Sequence, residues 1–387
     1  MTRYAHITGW GMAVPEKVLT NDDISRFVET SDEWIQSRTG ICQRRIASEK
    51  ETTTTLAIQA AENALEVANL SPADLDLIIV ATSTAEYIFP ATACLVQDAL
   101  GADKAGAFDM YVACTGFIYA LNMAAQAIRS GSIHNALVIG SETLSRIVDW
   151  KDRNTCILFG DGAGAFVLQG SDIPGGVLSS VLRSDGSGAD ALYVTSHGHV
   201  RAACISGLLD NTIKMDGKEV FRFATRVMAD STREAVAAAG LTVNDIRLII
   251  PHQANRRIID AAARSLNLPE EKFVINLDRY GNTSTASIPI ALCEAVADGR
   301  LKANDRAVLV GFGGGLSWGA VAIHWDATTP IPITRWQRLT RQVGYSLAKV
   351  RSFARRSARR VEGALLGSGE NGEKKKGDRE AGRQVDR

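Results

Sequence analysis

Apolar residues along this chain alternate between two spacings. Short runs rich in Val, Ile and Leu, such as Leu75-Asp76-Leu77-Ile78-Ile79-Val80 and Ile246-Arg247-Leu248-Ile249-Ile250-Pro251, have the aliphatic density of buried strands. Between such runs lie segments of helical period. Phe117, Ala120, Leu121, Ala124, Ala125 and Ile128 recur at i, i+3, i+4 and i+7, and Ser130-Gly131 closes the predicted helix. Strands alternating with helices imply sheets with helices packed on their faces, which makes the chain α/β.

The strand pattern also repeats. The second of the two runs quoted above lies 171 positions after the first (247 − 76), and Ala307-Val308-Leu309-Val310-Gly311 follows Ala136-Leu137-Val138-Ile139-Gly140 by the same 171. Two strands recurring at one offset point to an internal duplication. The expected division is an N-terminal half over residues 1–171 and a C-terminal half over residues 172–329.

Composition changes this picture only at the C-terminal end. With 387 residues, 45% of them hydrophobic and 22% charged, the chain can bury a substantial core and reads as an ordinary globular protein. The formal net charge is zero, yet residues 331–387 carry 15 Lys+Arg against 6 Asp+Glu, leaving 28 basic and 37 acidic residues in the rest. A neutral total therefore joins an acidic body to a basic tail. The first residues, Met1 to His6, precede no apolar run, so no secretory signal is expected, and no window reaches the length of a membrane span. Six cysteines (42, 94, 114, 156, 204 and 293) contain no Cys-x-x-Cys pair, which argues against a disulfide framework or zinc knuckle and fits a reducing cytoplasm. His197-Gly198-His199 has no acidic or thiol neighbour in sequence and reads as a loop, so no metal site is expected.

Three segments carry reactive or hydrogen-bonding side chains at strand-to-helix junctions: Ala113-Cys114-Thr115-Gly116-Phe117, Pro251-His252-Gln253-Ala254-Asn255 and Gly281-Asn282-Thr283-Ser284. Cys114 follows a strand-like run and precedes the predicted helix, where unpaired N–H groups and the helix dipole favour a thiolate. By itself it is as compatible with a structural cysteine as with a nucleophile; the other five read as structural. His252 ends a strand and should project into a crevice, and Asn282 sits in a turn ahead of a helix starting near Ser284 or Ala286. Taken singly, each is more often a capping or core residue. Gly311-Phe312-Gly313-Gly314-Gly315 ends a strand and can aim an amide N–H at an oxyanion, but it lacks the Gly-Lys-Ser/Thr of a phosphate loop. Gly160-Asp161-Gly162-Ala163-Gly164 precedes a strand-like run and reads as a structural turn.

As a set, these segments resemble the β-ketoacyl-acyl-carrier-protein synthase III family of the thiolase-like superfamily. The likeness runs from about Ile7-Thr8-Gly9-Trp10-Gly11 to His324-Trp325 and includes Ser31 to Ile41 and Gly311 to Trp318. It implies a duplicated five-layer α/β/α/β/α body. Cys114 would be the acyl acceptor, His252 and Asn282 the decarboxylation pair, and the amides of Cys114 and Gly314 the oxyanion hole. Trp34, Arg38 and Arg153 match positions that hold coenzyme A. Phe89 matches an aromatic that reaches across a homodimer interface into the partner's acyl pocket, and Phe312 joins the pocket lining. Arg222, Arg257 and Arg264 match the basic patch that docks the acyl carrier protein, although Ser265 stands where some members have a second Lys. The substrates implied are a short acyl-CoA and malonyl-acyl-carrier protein, condensed with loss of CO2 to start type II fatty-acid synthesis, without a metal or redox cofactor. The same chemistry on a long or secondary-metabolite primer stays open, and a non-condensing acyl-binding scaffold is the reading from another class. A degradative thiolase would need a second catalytic cysteine, and Cys293 lies in a predicted helix.

Family members usually end near the position of residue 326. Here Trp336, Leu339, Val343, Leu347, Val350, Ala354, Val361 and Leu365 continue at helical spacing among nine Lys and Arg residues between Arg335 and Arg360. A basic amphipathic helix is expected over residues 330–366, resting on an anionic membrane, a partner or the acidic body, with disorder over residues 367–387. Without an aromatic platform beside the charge, nucleic-acid binding is not expected.

Overall fold

The computed structural model describes residues 3–195, 211–327, 343–348 and 350–359. Strands and helices are numbered here along the chain. Five strands form the first sheet: β1 (Tyr4–Ala13), β4 (Leu77–Ala81), β5 (Gly106–Met110), β6 (Asn135–Thr143) and β7 (Asp161–Ser171), in the order β1-β7-β6-β4-β5. Four form the second: β8 (Gly176–Ser184), β11 (Leu248–Pro251), β12 (Asp305–Gly313) and β13 (Ser317–Trp325), in the order β11-β12-β13-β8. Two small ribbons pair β2 (Val18–Thr20) with β3 (Gln43–Arg45), and β9 (Leu192–Tyr193) with β10 (Lys214–Met215).

The duplication is visible in the hydrogen-bond register. In the parallel pair β4 and β6, Leu77 lies opposite Ala136; in the parallel pair β11 and β12, Leu248 lies opposite Ala307, each residue 171 positions on. The next strand is antiparallel in both sheets, β7 on β6 and β13 on β12. The outer strand, β1 or β8, then pairs antiparallel with it.

Helices fill three layers. On the outer face of the first sheet lie α3 (Thr53–Ala68) and α4 (Thr92–Leu100), whose Leu56, Ala60, Ala64, Leu65, Val96 and Leu100 pack on Ile78, Val80, Leu137 and Ile139. On the outer face of the second lie α6 (Gly217–Ala238) and α7 (Arg256–Leu266), packed on Val308, Val310 and Ala320. Between the sheets run α5 (Gly116–Arg129) and α9 (Ser287–Ala297). A helix between two sheets must be apolar nearly all round, and in α9 Ile288, Pro289, Ile290, Ala291, Leu292 and Cys293 are consecutive buried residues. The order is thus helix, sheet, helix, sheet, helix. Phe117 of α5 meets Phe166 of β7 edge to face at 4.9 Å, and Trp10 of β1 meets Trp325 of β13 at 4.9 Å, joining the halves. The short helices α1 (Asn21–Ser25), α2 (Asp32–Thr39) and α8 (Leu277–Tyr280) frame the site described below.

Of the tail, residues 343–348 and 350–359 are helical; residues 360–387, including the span expected to be disordered, lie outside the described residues. The expected apolar stripe is not what this helix presents to the body. Val343, Leu347 and Val350 are exposed, as is Phe353, whereas Ala348 and Ser352 are buried. The contact is made by Tyr345 together with small and basic side chains. Ala348 lies against Gly101, Ser352 donates to Asp98, and Arg351, Arg355 and Arg356 pair with Asp103, Asp103 and Asp98. Charge complementarity between basic tail and acidic body thus joins the packing of Tyr345 and Ala348 on this face.

Candidate active site

Each middle-layer helix starts with a tight 3-10 turn, Ala113–Thr115 ahead of α5 and Ser284–Ala286 ahead of α9. The two turns are again 171 positions apart, and their first residues, Ala113 (φ 42°) and Ser284 (φ 48°), both sit in the left-handed region that non-glycine residues avoid. Cys114 stands in the first turn. Gly313, at the end of β12, packs so closely that a Cβ there would lie 2.8 Å from the Cys114 amide nitrogen, so only glycine fits beside the nucleophile's backbone.

His252 leaves the end of β11, where its N–H still bonds Val310 of β12 at 2.8 Å. Ser287, the first residue of α9, has its hydroxyl 2.7 Å from His252 Nδ1 and also accepts from the Gln253 amide at 3.4 Å. Having accepted from that amide, the Ser287 hydroxyl keeps its proton available for Nδ1, the arrangement that leaves the imidazole proton on Nε2. Asn282 is oriented by similar logic. Its Oδ1 accepts from the Ser284 amide at 2.8 Å, which leaves Nδ2 as a free donor toward the cavity. Phe312 stands edge-on to the His252 ring at 5.2 Å.

Cys114, His252, Asn282, Phe312 and Gly313 all line one cavity of about 1130 Å3, with Trp34, Arg38, Arg222 and Arg257 around its exposed end. Arg153 lies with its guanidinium 4.9 Å from the centre of the Trp34 ring, and Arg38 lies 5.9 Å from it. Lys214 and Lys218 join this rim, so the mouth is cationic and suits a phosphate-bearing ligand. Asn255 caps α7 and also donates to the Arg38 carbonyl at 3.0 Å, which ties the rim of α2 to α7. Arg264 lies seven residues beyond Arg257 on α7, exposed and outside the cavity. Gly314 follows Gly313 but is not part of the lining; its carbonyl accepts from Ser317. Phe89 is 84% exposed on a loop away from its own chain's cavity, while Ser265, next to Arg264 on α7, accepts from Arg233. His197 and His199 lie outside the described residues.

The electrostatics correct one expectation. Burial pushes the Cys114 thiol up to about 11, against a hydrogen bond from Ser284 that acts the other way, so the resting form is a neutral thiol rather than a thiolate. Desolvation outweighs the favourable helix N-terminus because the sulfur is enclosed. Burial likewise pulls His252 down to about 3, which keeps the imidazole neutral. Glu142, at the end of β6 and fully buried, went unnoticed in the sequence; burial raises its carboxyl to about 7. Its only sequence signal was an acidic residue closing an apolar strand. Ser284 was read only as a possible helix start and Ser287 not at all, since their partners are distant in sequence. Cys293 is buried in α9 outside the cavity, with its pKa raised by burial.

Comparison with known proteins agrees with this geometry. Residues 108–186 match the 3-oxoacyl-[acyl-carrier-protein] synthase III family model, and residues 236–325 match the model of that family's C-terminal region. A β-ketoacyl-[acyl-carrier-protein] synthase III of Roseiflexus sp. is 52% identical over 330 residues, 84% of this chain and 100% of its own. The synthase III of Symbiobacterium thermophilum is 53% identical over 321 residues, 82% of this chain and 97% of its own. Among solved structures, 3-oxoacyl-[acyl-carrier-protein] synthase III of Aquifex aeolicus superposes with a TM-score of 0.77 at 49% identity, covering 83% of this chain and 99% of that one. The priming β-ketosynthase of the R1128 polyketide pathway superposes with a TM-score of 0.80 at 37% identity, covering 85% and 98%. The chain therefore belongs to the β-ketoacyl-acyl-carrier-protein synthase III family, and it is an acyltransferase with the thiolase-like fold.

Proposed function

We propose that the chain transfers a short acyl group, acetyl in the first instance, from coenzyme A to Cys114 and condenses it with malonyl-acyl-carrier protein. The observation that carries this reading is the single cavity with a thiol, an imidazole and a carboxamide at its buried end and cations at its mouth. The Trp34 face now covered by Arg153 offers a stacking surface for adenine, and Arg38 offers charge to the phosphates. Arg222 and Arg257 at the rim, with Arg264 further along α7, suit an acidic carrier protein. Identities of about half to synthases III, against 37% to the polyketide priming enzyme, favour fatty-acid initiation over a specialised pathway.

The chemistry then divides in two. Attack of the sulfur on the thioester carbonyl makes an oxyanion, which the N–H groups of Cys114 and Gly314 would stabilise. Coenzyme A leaves and the malonyl thioester enters. Loss of CO2 places negative charge on its thioester oxygen, to which His252 Nε2–H and Asn282 Nδ2–H would donate. A histidine held neutral by burial suits donation without proton transfer, so this half-reaction should show no acid limb in the ordinary histidine range. The resulting enolate attacks the acyl-Cys114 carbonyl and restores the thiol.

A homodimer fits the surface. β5 is an edge strand of the first sheet, and Tyr87, Ile88, Phe89, Phe108 and Tyr111 are exposed on or beside it. An edge strand flanked by large apolar side chains favours covering by a second copy, which would take Phe89 to the partner's pocket.

The half-reactions separate the roles. Cys114→Ala should lose acyl labelling altogether yet still decarboxylate the malonyl carrier. His252→Ala and Asn282→Ala should label normally and lose condensation by on the order of 10²–10³-fold each. Condensation at the wild-type rate in either variant would remove that residue from the reaction.

A further inference from the structure

A neutral thiol must lose its proton to attack a thioester, and the helix terminus alone offers no atom to receive it. His252 is poorly suited, because Nδ1 is occupied by Ser287 and the ring is buried. The other titratable group beside Cys114 is Glu142. Its carboxylate is 0% exposed and no cation is among its hydrogen-bond partners. It accepts instead from the Ser83 amide at 3.1 and 3.2 Å, the Thr84 hydroxyl at 2.7 Å, the Thr82 hydroxyl at 3.4 Å and the Thr285 hydroxyl at 3.2 Å. Ser284, in the adjoining turn, sits close enough to the Cys114 thiol and the Glu142 carboxylate to lower the pKa of each, and its neighbour Thr285 donates to Glu142. A hydroxyl can accept from one neighbour while donating to the other.

A buried carboxylate with no cation beside it is costly even when hydrogen-bonded. The pseudo-symmetric position, 171 residues on, is Gly313, which lies against the Cys114 turn much as Glu142 lies against the Ser284-Thr285 turn. One half thus has bare backbone at this point, whereas the half whose turn bears Ser284 has a carboxylate.

We infer that Glu142 accepts the Cys114 proton during acyl loading, relayed by the Ser284 hydroxyl; this rests on the acyl-transfer reading above. As the sulfur approaches the acyl carbonyl, the S–H proton passes to Ser284 Oγ and the Ser284 O–H proton passes to a Glu142 oxygen. The new C–S bond forms, the C–S bond to coenzyme A breaks, and the departing thiolate recovers the proton by the reverse transfer. The products are acyl-Cys114 and coenzyme A thiol, with Glu142 again a carboxylate. Glu142 acts through Ser284 and touches no substrate, so it is a positioning residue in this step.

The titratable neighbours that sense Glu142 are Cys114 and Tyr111. Asp109, on β5 beyond the intervening β4, is held by the Thr92 and Ala93 amides at 2.6 and 2.8 Å. Because the carboxyl titrates near neutrality and its base form is the acceptor, wild-type loading should rise with pH through about 7 and then level off.

The test is rapid-quench mass spectrometry of acyl-Cys114 formation from acetyl-CoA across the neutral and alkaline range, in wild type, Glu142→Gln and Ser284→Ala. Glu142→Gln should load on the order of 10²-fold more slowly at neutral pH, recover at high pH, and lose the break near neutrality. Ser284→Ala should behave alike, and the double variant no worse than either alone. A purely structural carboxylate would lower the rate with the profile unmoved, which would overturn the inference, as would a wild-type rate in Glu142→Gln. Should Glu142→Gln not fold, the proton inventory of wild-type loading in mixed H2O and D2O decides: curvature from two protons in flight supports the relay, and a linear plot overturns it. Absence of any acyl adduct on wild type would overturn the acyl-transfer reading itself, whereas equal loading of wild type and variant overturns only the role of Glu142.

Discussion

Ser287 determines which proton His252 can offer. Its hydroxyl lies 2.7 Å from Nδ1, and when it donates there the imidazole proton is on Nε2, the tautomer that can donate to a thioester oxygen. Ser287→Ala frees the ring to take either tautomer and removes a hydrogen bond from a buried imidazole. Acyl loading should be unchanged, and decarboxylation should fall by on the order of tenfold; measuring both with the same preparation checks this, and an equal loss in both would contradict it. Cys114, His252 and Asn282 were legible as candidates in the sequence because the first two occupy motifs at strand ends and the third a glycine turn ahead of a helix. Ser284, Ser287 and Glu142 were not, because their meaning lies in contacts to residues far along the chain. The protonation of Cys114 was misread for a related reason: the helix terminus is local and visible, while enclosure by β12 and the turn before α9 is tertiary.

At the scale of elements, strand pairs were the most legible feature. The 171-residue offset read from two aliphatic runs reappears in the register of both sheets and in the turns that begin α5 and α9. Only tertiary structure shows that these turns face each other's strands and so bring Cys114 and Ser284 together. The C-terminal helix was foreseen as amphipathic, but its docking face was not, since an apolar stripe in sequence does not say which side meets an acidic surface. Its contact rests on Arg351, Arg355 and Arg356 with Asp98 and Asp103, all partly exposed. Such pairs are each worth about 1 kcal/mol or less and weaken with salt. The double variant Asp98→Asn, Asp103→Asn should therefore raise amide exchange over residues 343–359 severalfold while the core sheets keep their protection. Unchanged exchange would mean that Ala348 and Tyr345 packing holds the helix without the charges.

The whole molecule places a deep reaction chamber between two copies of one architecture. Burial at the chamber's inner end keeps thiol and imidazole neutral until a substrate arrives, and the cationic rim selects molecules that bring phosphate. Among the described residues no helix is long and apolar enough to cross a membrane. The central claim is that Cys114 carries the acyl group between two substrates. Intact-protein mass spectrometry with peptide mapping tests it directly: incubation with acetyl-CoA, then addition of malonyl-acyl-carrier protein. The account predicts one acetyl adduct on Cys114 that disappears as 3-oxobutanoyl-carrier protein forms. An adduct elsewhere, or none on the folded enzyme with any acyl-CoA, would contradict it.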